Sequence, residues 1–301
     1  VSLTAAGAVA LAFALEAAFA EPPASLHPVA WFGRAVAPFD REWTHPRAVG
    51  ALVAVVLPLA AAVLVGSLVA LAGRVDARVA ASVAGLALFA TTSLRMLSAE
   101  ARAVVAATET DLDAARDRLQ SLAGRDAGGL SAGELRSAAV ESAAENLADG
   151  LVAPLLAFAV GAAVSLPVAA AAAAWVKAVN TLDSMLGYRS KPVGTASARL
   201  DDAVMWVPAR VSAALLALAG LDAGALARAR EHAGAPPSPN SGWPMATLAA
   251  VLGVRLAKRD VYDLPLGGAF PTVAESRRGV RVVGIAGALA YALAAGVVAW
   301  S

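Results

Sequence analysis

The chain has 301 residues, of which 59% are hydrophobic and 16% charged, with a mean hydropathy of +0.66, a profile outside that of soluble domains. The net charge of +1 supplies no basic stripe for a nucleic acid, so no nucleic-acid partner is expected, and the lack of cysteine excludes disulfides and thiolate metal sites. An all-α, polytopic integral membrane protein in contact with a lipid bilayer is the class that remains.

Ala18-Phe19-Ala20 before Glu21 imitates a signal-peptide cleavage site. No basic residue precedes the apolar stretch and Glu16 interrupts it, so a retained first helix carrying an inward-facing acid is the expectation. Ala51 to Ala72 is an uncharged run long enough to cross a hydrocarbon core of about 30 Å. Val79 to Leu94, between Arg78 and Arg95, reads as a short span, and Val282 to Trp300, bounded by Arg281, as a full one.

Residues 98–150 return to polar composition with helix punctuation. Thr110 followed by Asp113 resembles an N-terminal cap for an amphipathic helix through Ala115, Leu119 and Leu122 that stops at Gly124. Ser131 with Glu134 has capping-box spacing and opens a second helix towards Gly150. The apolar run Leu151 to Val176 is longer than one span needs and is broken by Ser165-Leu166-Pro167, which favours a helical hairpin dipping into the membrane over a single crossing. Val204 to Leu221 is apolar but carries Pro208 and Arg210, so the sequence leaves its crossing open. Residues 222–280 form a polar, turn-rich segment, with a short apolar piece from Met245 to Leu256. No internal repeat is visible, and the whole of 1–301 reads as one membrane-embedded domain.

Three polar clusters interrupt this background. A charge at the bilayer centre costs about 2.5–3.5 kcal/mol even on a lenient scale, so such clusters beside apolar segments point to a reaction site. Glu141, Glu145 and Asp149 recur every four residues, with Ser142 and Asn146 alongside; a solvated helix face is the competing reading. Lys177, Asn180, Thr181, Ser184 and Tyr188 share one helical face, with Asp183 on its shoulder and Val179, Leu182 and Leu186 opposite. A lysine snorkelling at a membrane border accounts for Lys177 but not for the ordered stripe. Arg199, Asp201 and Asp202, with Arg210 further on, combine hard oxygen ligands for Mg²⁺ with guanidinium forks for phosphate, a mixture suited to phosphoryl transfer; an Arg199–Asp202 salt bridge is the plainer alternative. The stretch Ser238 to Pro244 is turn-rich and reads as a tight loop or an anion nest. His27, His45 and His232 lack ligand spacing, and no phosphate-binding glycine loop or dinucleotide fingerprint occurs.

The wording of these stretches carries more than their physics. Glu141-Ser142-Ala143-Ala144-Glu145-Asn146-Leu147, Lys177-Ala178-Val179-Asn180-Thr181-Leu182-Asp183-Ser184-Met185, Ala196-Ser197-Ala198-Arg199-Leu200-Asp201-Asp202, Pro208-Ala209-Arg210 and Ser238-Pro239-Asn240-Ser241-Gly242-Trp243-Pro244-Met245, in that order, resemble the adenosylcobinamide-phosphate synthase (CobD/CbiB) family of cobalamin biosynthesis. His27-Pro28-Val29, Gly33-Arg34 and Arg95 to Glu100 extend the resemblance over most of the chain. Three departures stand out: Met205 where the pattern has asparagine, Glu21-Pro22 for Asp-Pro, and a shortened stretch from Arg189 to Thr195.

The resemblance implies a multi-pass protein of the cell membrane with its active site facing the cytoplasm. It implies ATP-dependent amide formation between adenosylcobyric acid, the corrinoid substrate, and an amino-alcohol phosphate such as aminopropanol phosphate, with Mg²⁺ and ATP as cofactors. Other membrane enzymes of the corrinoid pathway become possible partners. On that reading Asp183, Asp201 and Asp202 are Mg²⁺ ligands and Lys177, Arg199 and Arg210 hold phosphate. Glu141 or Glu145 is the base, and Asn146, Asn180 and Asn240 orient substrate, with Ser238, Trp243, His27 and Arg34 completing the binding set. A transporter is the competing class, although its usual inverted repeats are not found. A CDP-alcohol phosphotransferase would share Asp149-Gly150 and Ala153 but needs an arginine where Pro154 stands.

Overall fold

The structure, a computed structural model, describes residues 2–19, 25, 27–123, 127–188 and 190–300. Glu21-Pro22, Gly124 and Arg189 therefore lie outside the described residues. In chain order the helices are α1 (Ser2–Phe19), α2 (Pro28–Val36), α3 (Pro46–Val75), α4 (Ala77–Thr91), α5 (Arg95–Ala107), α6 (Leu112–Ala123) and α7 (Ala132–Leu147). They continue as α8 (Ala153–Ala162), α9 (Leu166–Leu186), α10 (Thr195–Val204), α11 (Trp206–Ala219), α12 (Ala225–Arg230), α13 (Gly242–Leu252) and α14 (Val273–Trp300). The strands β1 (Arg255–Lys258) and β2 (Tyr262–Pro265) precede α14. The protein is an all-α polytopic membrane protein. Four stretches among the described residues are long and apolar enough to span: Pro46–Gly73, Ala77–Ala107, Ala132–Ala162 and Val273–Trp300, with a fifth if Pro192–Val204 and Trp206–Ala219 act together.

The chain forms two compact units. The first comprises Val1–Ser93, Asp149–Met205 and Tyr291–Ser301, and the second Leu94–Ala148 and Trp206–Ala290. Both polar segments read from the sequence fall almost wholly in the second.

In the first unit α9 is the hub, packed by α2, α3, α4, α8 and α10. Helices that associate in lipid gain little from hydrophobicity, so close backbone approach through small residues drives the contact. A methyl group at Gly66 would come within 3.2 Å of the Ala171 Cβ, and one at Gly161 would strike the backbone of Ala169. Gly33 brings α2 onto Met185, and Gly50 sets α3 directly under the Val193 carbonyl that precedes α10. The outer face of α3 exposes Leu52, Val55, Leu59, Val63 and Leu68, as a lipid-facing helix does. In α1 Glu16 is only 4% exposed, the inward-facing acid expected, and Phe13 sets its ring edge against Tyr291, whose hydroxyl hydrogen-bonds Thr92 Oγ1 at 3.2 Å.

Over the stretch Leu151 to Val176, expected to dip into the membrane, α8 and α9 pack as a helical hairpin shifted towards the C-terminus, but α8 also ends Ala132–Ala162, a stretch long and apolar enough to cross. Ser165 is the N-cap of α9, its Oγ accepting from the Val168 N–H, and Pro167 occupies the first turn, where it needs no hydrogen-bond partner. The break is thus a helix start, and α9 runs on to Leu186.

In the second unit α5, α6 and α7 pack on one another, and α13 packs on α7, α11 and α12. The capping box of Ser131 and Glu134 forms as read. The cap of α6 is Asp111 rather than Thr110: its Oδ1 accepts from the N–H groups of Asp113 and Ala114. The apolar piece from Met245 is a helix buried on all sides, and it ends at Gly253, which takes φ +71°. Val254 to Leu266 holds a short antiparallel hairpin with Arg255 opposite Pro265 and Lys258 opposite Tyr262, which the charged composition conceals.

The Gly50 contact leaves no room for a side chain. Gly50→Val is expected to cost about 1–3 kcal/mol of stability through overpacking, whereas Gly7→Ala, where nothing lies within 4 Å, should leave the thermal midpoint in detergent unchanged or higher.

Candidate functional site

In the first unit the site residues gather on α9 and α10. Leu182 and Leu186 pack with Val36, Val53 and Ala54, and Val179 is likewise buried, which fixes the rotation of α9 and turns its polar edge outward. Lys177, Asn180, Thr181 and Asp183 are half-buried along that edge and Ser184 is exposed. Thr181 and Ser184 donate their hydroxyls back to the carbonyls of Lys177 and Asn180, so the stripe's acceptors and charges, more than its hydroxyls, face outward.

Asp183 is the strained member of the group. Its carboxylate is pushed up to about 6, first by burial and then by the negative charge of Asp202 on α10. Its Oδ1 is buried without a hydrogen-bond partner. The carboxylate lies over the Cα of Gly187, where any Cβ would collide with Oδ1, and the Gly187 N–H donates to the Asp183 carbonyl at 2.7 Å. Helix α9, which carries Asp183, is not one of the four candidate spans.

Among the described residues no three His, Cys, Asp or Glu side chains are grouped to hold a metal ion. The three-carboxylate set read from the sequence is therefore not assembled as one cluster. Asp183 and Asp202 adjoin electrostatically, while Asp201 Oδ1 accepts from Asn180 Nδ2 at 3.4 Å. Mg²⁺ usually takes one or two protein carboxylates and completes its octahedron with water and substrate phosphate oxygens, and a crowded acid pair with an unsatisfied buried oxygen fits that donor set. Arg199 is exposed and forms no bridge to Asp202 among the described residues, so the plainer salt-bridge reading does not apply. His27 caps α2, its Nδ1 accepting from the Val29 N–H at 3.2 Å, and Arg34 is exposed near the end of that helix.

The second unit holds the other candidates. Glu141 is 3% exposed, which rules out a solvated face for its part of α7. Its Oε1 accepts from Ser137 Oγ at 2.6 Å and its Oε2 from the Tyr262 hydroxyl at 2.7 Å, while Ser137 Oγ accepts from the Ala257 N–H at 2.9 Å. A buried carboxylate thus ties the strand hairpin to α7. Asn146 donates to the carbonyl and hydroxyl of Ser142, and Glu145 is half-buried. Beyond Leu147 the helix widens into a π-turn, Ala148–Val152, that breaks the four-residue register carrying Asp149.

Arg210 on α11 is held from several directions. Its guanidinium lies over the rings of Trp206 and Trp243, at 4.5 Å and 5.1 Å from their centroids. Nη1 donates to Asn240 Oδ1 at 2.6 Å and to the Trp206 carbonyl at 3.0 Å, and Nη2 donates to the Pro239 carbonyl at 3.2 Å. The loop at Ser238 to Pro244 therefore presents acceptors to an arginine, and Ser238 Oγ accepts from the Asn240 N–H. Sequence reasoning missed Ser137, Tyr262, Gly187 and Trp206. Trp206 stands four residues before Arg210 on one helix and was legible; Tyr262 meets Glu141 across 121 residues and had no local signal.

Comparison with known proteins covers almost the whole chain. The model of the CobD/Cbib protein family covers residues 9–295. The probable cobalamin biosynthesis protein CobD of Methanothrix thermoacetophila is 36% identical across 95% of this chain and 94% of its own. The cobalamin biosynthesis proteins CobD of Klebsiella pneumoniae, 35% identical over 96% of each chain, and of Geobacter metallireducens, 39% identical over 86% of this chain and 84% of its own, are similar in the same way. No solved structure matches. With nearly its whole length aligned to both the family model and full-length relatives, the chain belongs to the CobD/CbiB family.

Proposed function

We propose that this protein acts in cobalamin biosynthesis as an ATP-dependent, amide-forming synthase that joins an amino-alcohol phosphate to a side-chain carboxylate of adenosylcobyric acid. The observation that supports it most directly is the Asp183–Asp202 pair, with its buried oxygen lacking a partner, inside a family whose relatives are named for cobalamin biosynthesis. The same names do not favour a transporter.

A carboxylate resists attack by an amine until its oxygen is made a leaving group. The proposed path is transfer of the terminal phosphoryl group of ATP to the corrinoid carboxylate, giving an acyl phosphate and ADP. Attack by the amine then forms the C–N bond, breaks the C–O bond and releases inorganic phosphate. Asp183 and Asp202 would hold Mg²⁺, which supplies charge neutralisation for the phosphates. Lys177 and Arg199 add positive charge, and Asn180 and Asp201 orient the edge of α9. Of the two candidate bases we assign Glu145 to the proton of the incoming ammonium, because both oxygens of Glu141 accept hydroxyl hydrogen bonds in a buried anchor. The Asp183 edge is assigned to the cytoplasmic face, where ATP is found.

Asp183→Asn and Asp202→Asn should each abolish turnover and weaken Mn²⁺ binding measured by electron paramagnetic resonance, with membrane insertion intact. Gly187→Ala, which drives a methyl into Asp183 Oδ1, should do the same. The pH dependence has a definite sign. A carboxylate whose folded pKa is raised from 3.8 to about 6 favours the metal-free fold below 3.8, and that contribution is lost as pH rises through about 6. Metal-free Asp183→Asn should therefore melt above wild type at pH 7.5, by on the order of 1–2 kcal/mol after solvent screening, and match it at pH 4.

Hydroxylamine in place of the amine should trap a corrinoid hydroxamate, with one ADP per hydroxamate. Formation of AMP and pyrophosphate would replace the acyl phosphate by an adenylate. In the naturally cysteine-free chain, a single cysteine at the exposed Ser184 should react with an impermeant reagent only when the cytoplasmic side is opened. Labelling from outside intact cells would reverse the orientation.

A further inference from the structure

Six arginines of the second unit are paired with acids. Arg116, Arg118, Arg228, Arg255, Arg259 and Arg277 each meet a carboxylate within this unit. Two half-buried arginines do not: Arg136 donates to the Pro271 carbonyl and to Thr108 Oγ1, and Arg210 to an amide oxygen and two main-chain carbonyls, all neutral, but of the two it is Arg210 that also lies against two indole rings. A guanidinium carries five N–H donors, and these contacts occupy three of them. The remaining two have no acceptor among the described residues, while contact with the rings restrains the plane they lie in. The cation is thus pre-oriented against two rings and, among the described residues, has no carboxylate partner. Such a group is complete only with an oxyanion. Trp206, 55% exposed, offers an apolar face beside it for the short carbon chain of the molecule that bears the anion.

We propose that Arg210, steadied by Asn240 and flanked by Trp206 and Trp243, seats the phosphomonoester end of the amine substrate and sets the preference for a phosphorylated over a free amino alcohol. The inference rests on the ligase reading and deepens it. A nucleotide triphosphate arrives with a divalent cation and needs carboxylates near its phosphates, and none contacts this guanidinium. A small phosphomonoester needs no metal and matches one planar fork and one indole face.

The test compares amino-alcohol phosphate with the same amino alcohol lacking phosphate, using the full-length protein in lipid nanodiscs with ATP, Mg²⁺ and the corrinoid acid. Arg210→Gln is expected to cut the ratio of kcat/KM values, phosphorylated over free amine, by about 10–100-fold, the range for a charge-assisted hydrogen bond, with the KM for ATP held within about twofold. Trp206→Ala, at an exposed position, should lower the same ratio by about 3–10-fold and keeps the test available if Arg210→Gln does not fold. A raised KM for ATP, a raised KM for the corrinoid acid, or an equal loss with both amines would overturn the assignment. Calorimetric titration of the amino-alcohol phosphate alone into wild type and Arg210→Gln reads binding without turnover. Loss of that binding in the variant with no amide formed by wild type would sink the ligase reading and keep the anion seat; equal binding by both proteins would sink the seat.

Discussion

The rotational setting of α9 is the constraint on which the first unit depends. Val179, Leu182 and Leu186 must be buried together, and the glycines and alanines of the neighbouring helices let those helices approach until that burial is complete. Hydrophobicity alone cannot choose a rotation for a helix in an apolar environment, because every apolar face is equally soluble in lipid. Packing chooses it. Once the seam is closed, Asn180 and Asp183 have one direction to point, and α10 brings Asp201 to Asn180 and Asp202 near Asp183. The polar edge is therefore a by-product of tight small-residue packing, and its acids are crowded because the backbone beneath them cannot yield.

The second unit uses the opposite device. Its hairpin is two strands of four residues, too small to be stable by itself, and it is held by a buried carboxylate. Leaving a carboxylate inside without donors would cost several kcal/mol, so the two hydroxyl donors to Glu141 are a condition of the fold as much as a gain. Removing Tyr262 or Ser137 would take one donor from the buried carboxylate, which couples the identity of three residues from distant parts of the chain. That coupling also separates the roles of Glu141 and Glu145, which look equivalent when spaced on a helical wheel.

Charge is arranged differently in the two units. On α9 and α10 the negative charge of Asp202 adds to burial in disfavouring the ionised form of Asp183. Around Arg210 a cation meets only neutral oxygens and ring faces, which keeps its charge available. Each arrangement is poor for the stability of an empty protein and good for binding the complementary ion, the balance expected where function competes with folding.

Composition and periodicity by themselves determined the membrane class, the positions of the long apolar helices, the inward-facing Glu16, the capping box at Ser131 and the hairpin break at Ser165, because each depends on residues within about one helical turn or on a continuous apolar run. The order of the polar strings was enough to point to the family. Tertiary structure alone decided that Asp111 caps α6, that Glu141 is an anchor held by Tyr262, that Asp201 turns to Asn180 while Asp202 crowds Asp183, and that the tight loop faces Arg210 with acceptors. These outcomes depend on which groups meet across tens to more than a hundred residues of chain. A hydrogen bond or a repulsion of that range leaves no period in the sequence, since only the folded packing brings its two ends within a few ångströms.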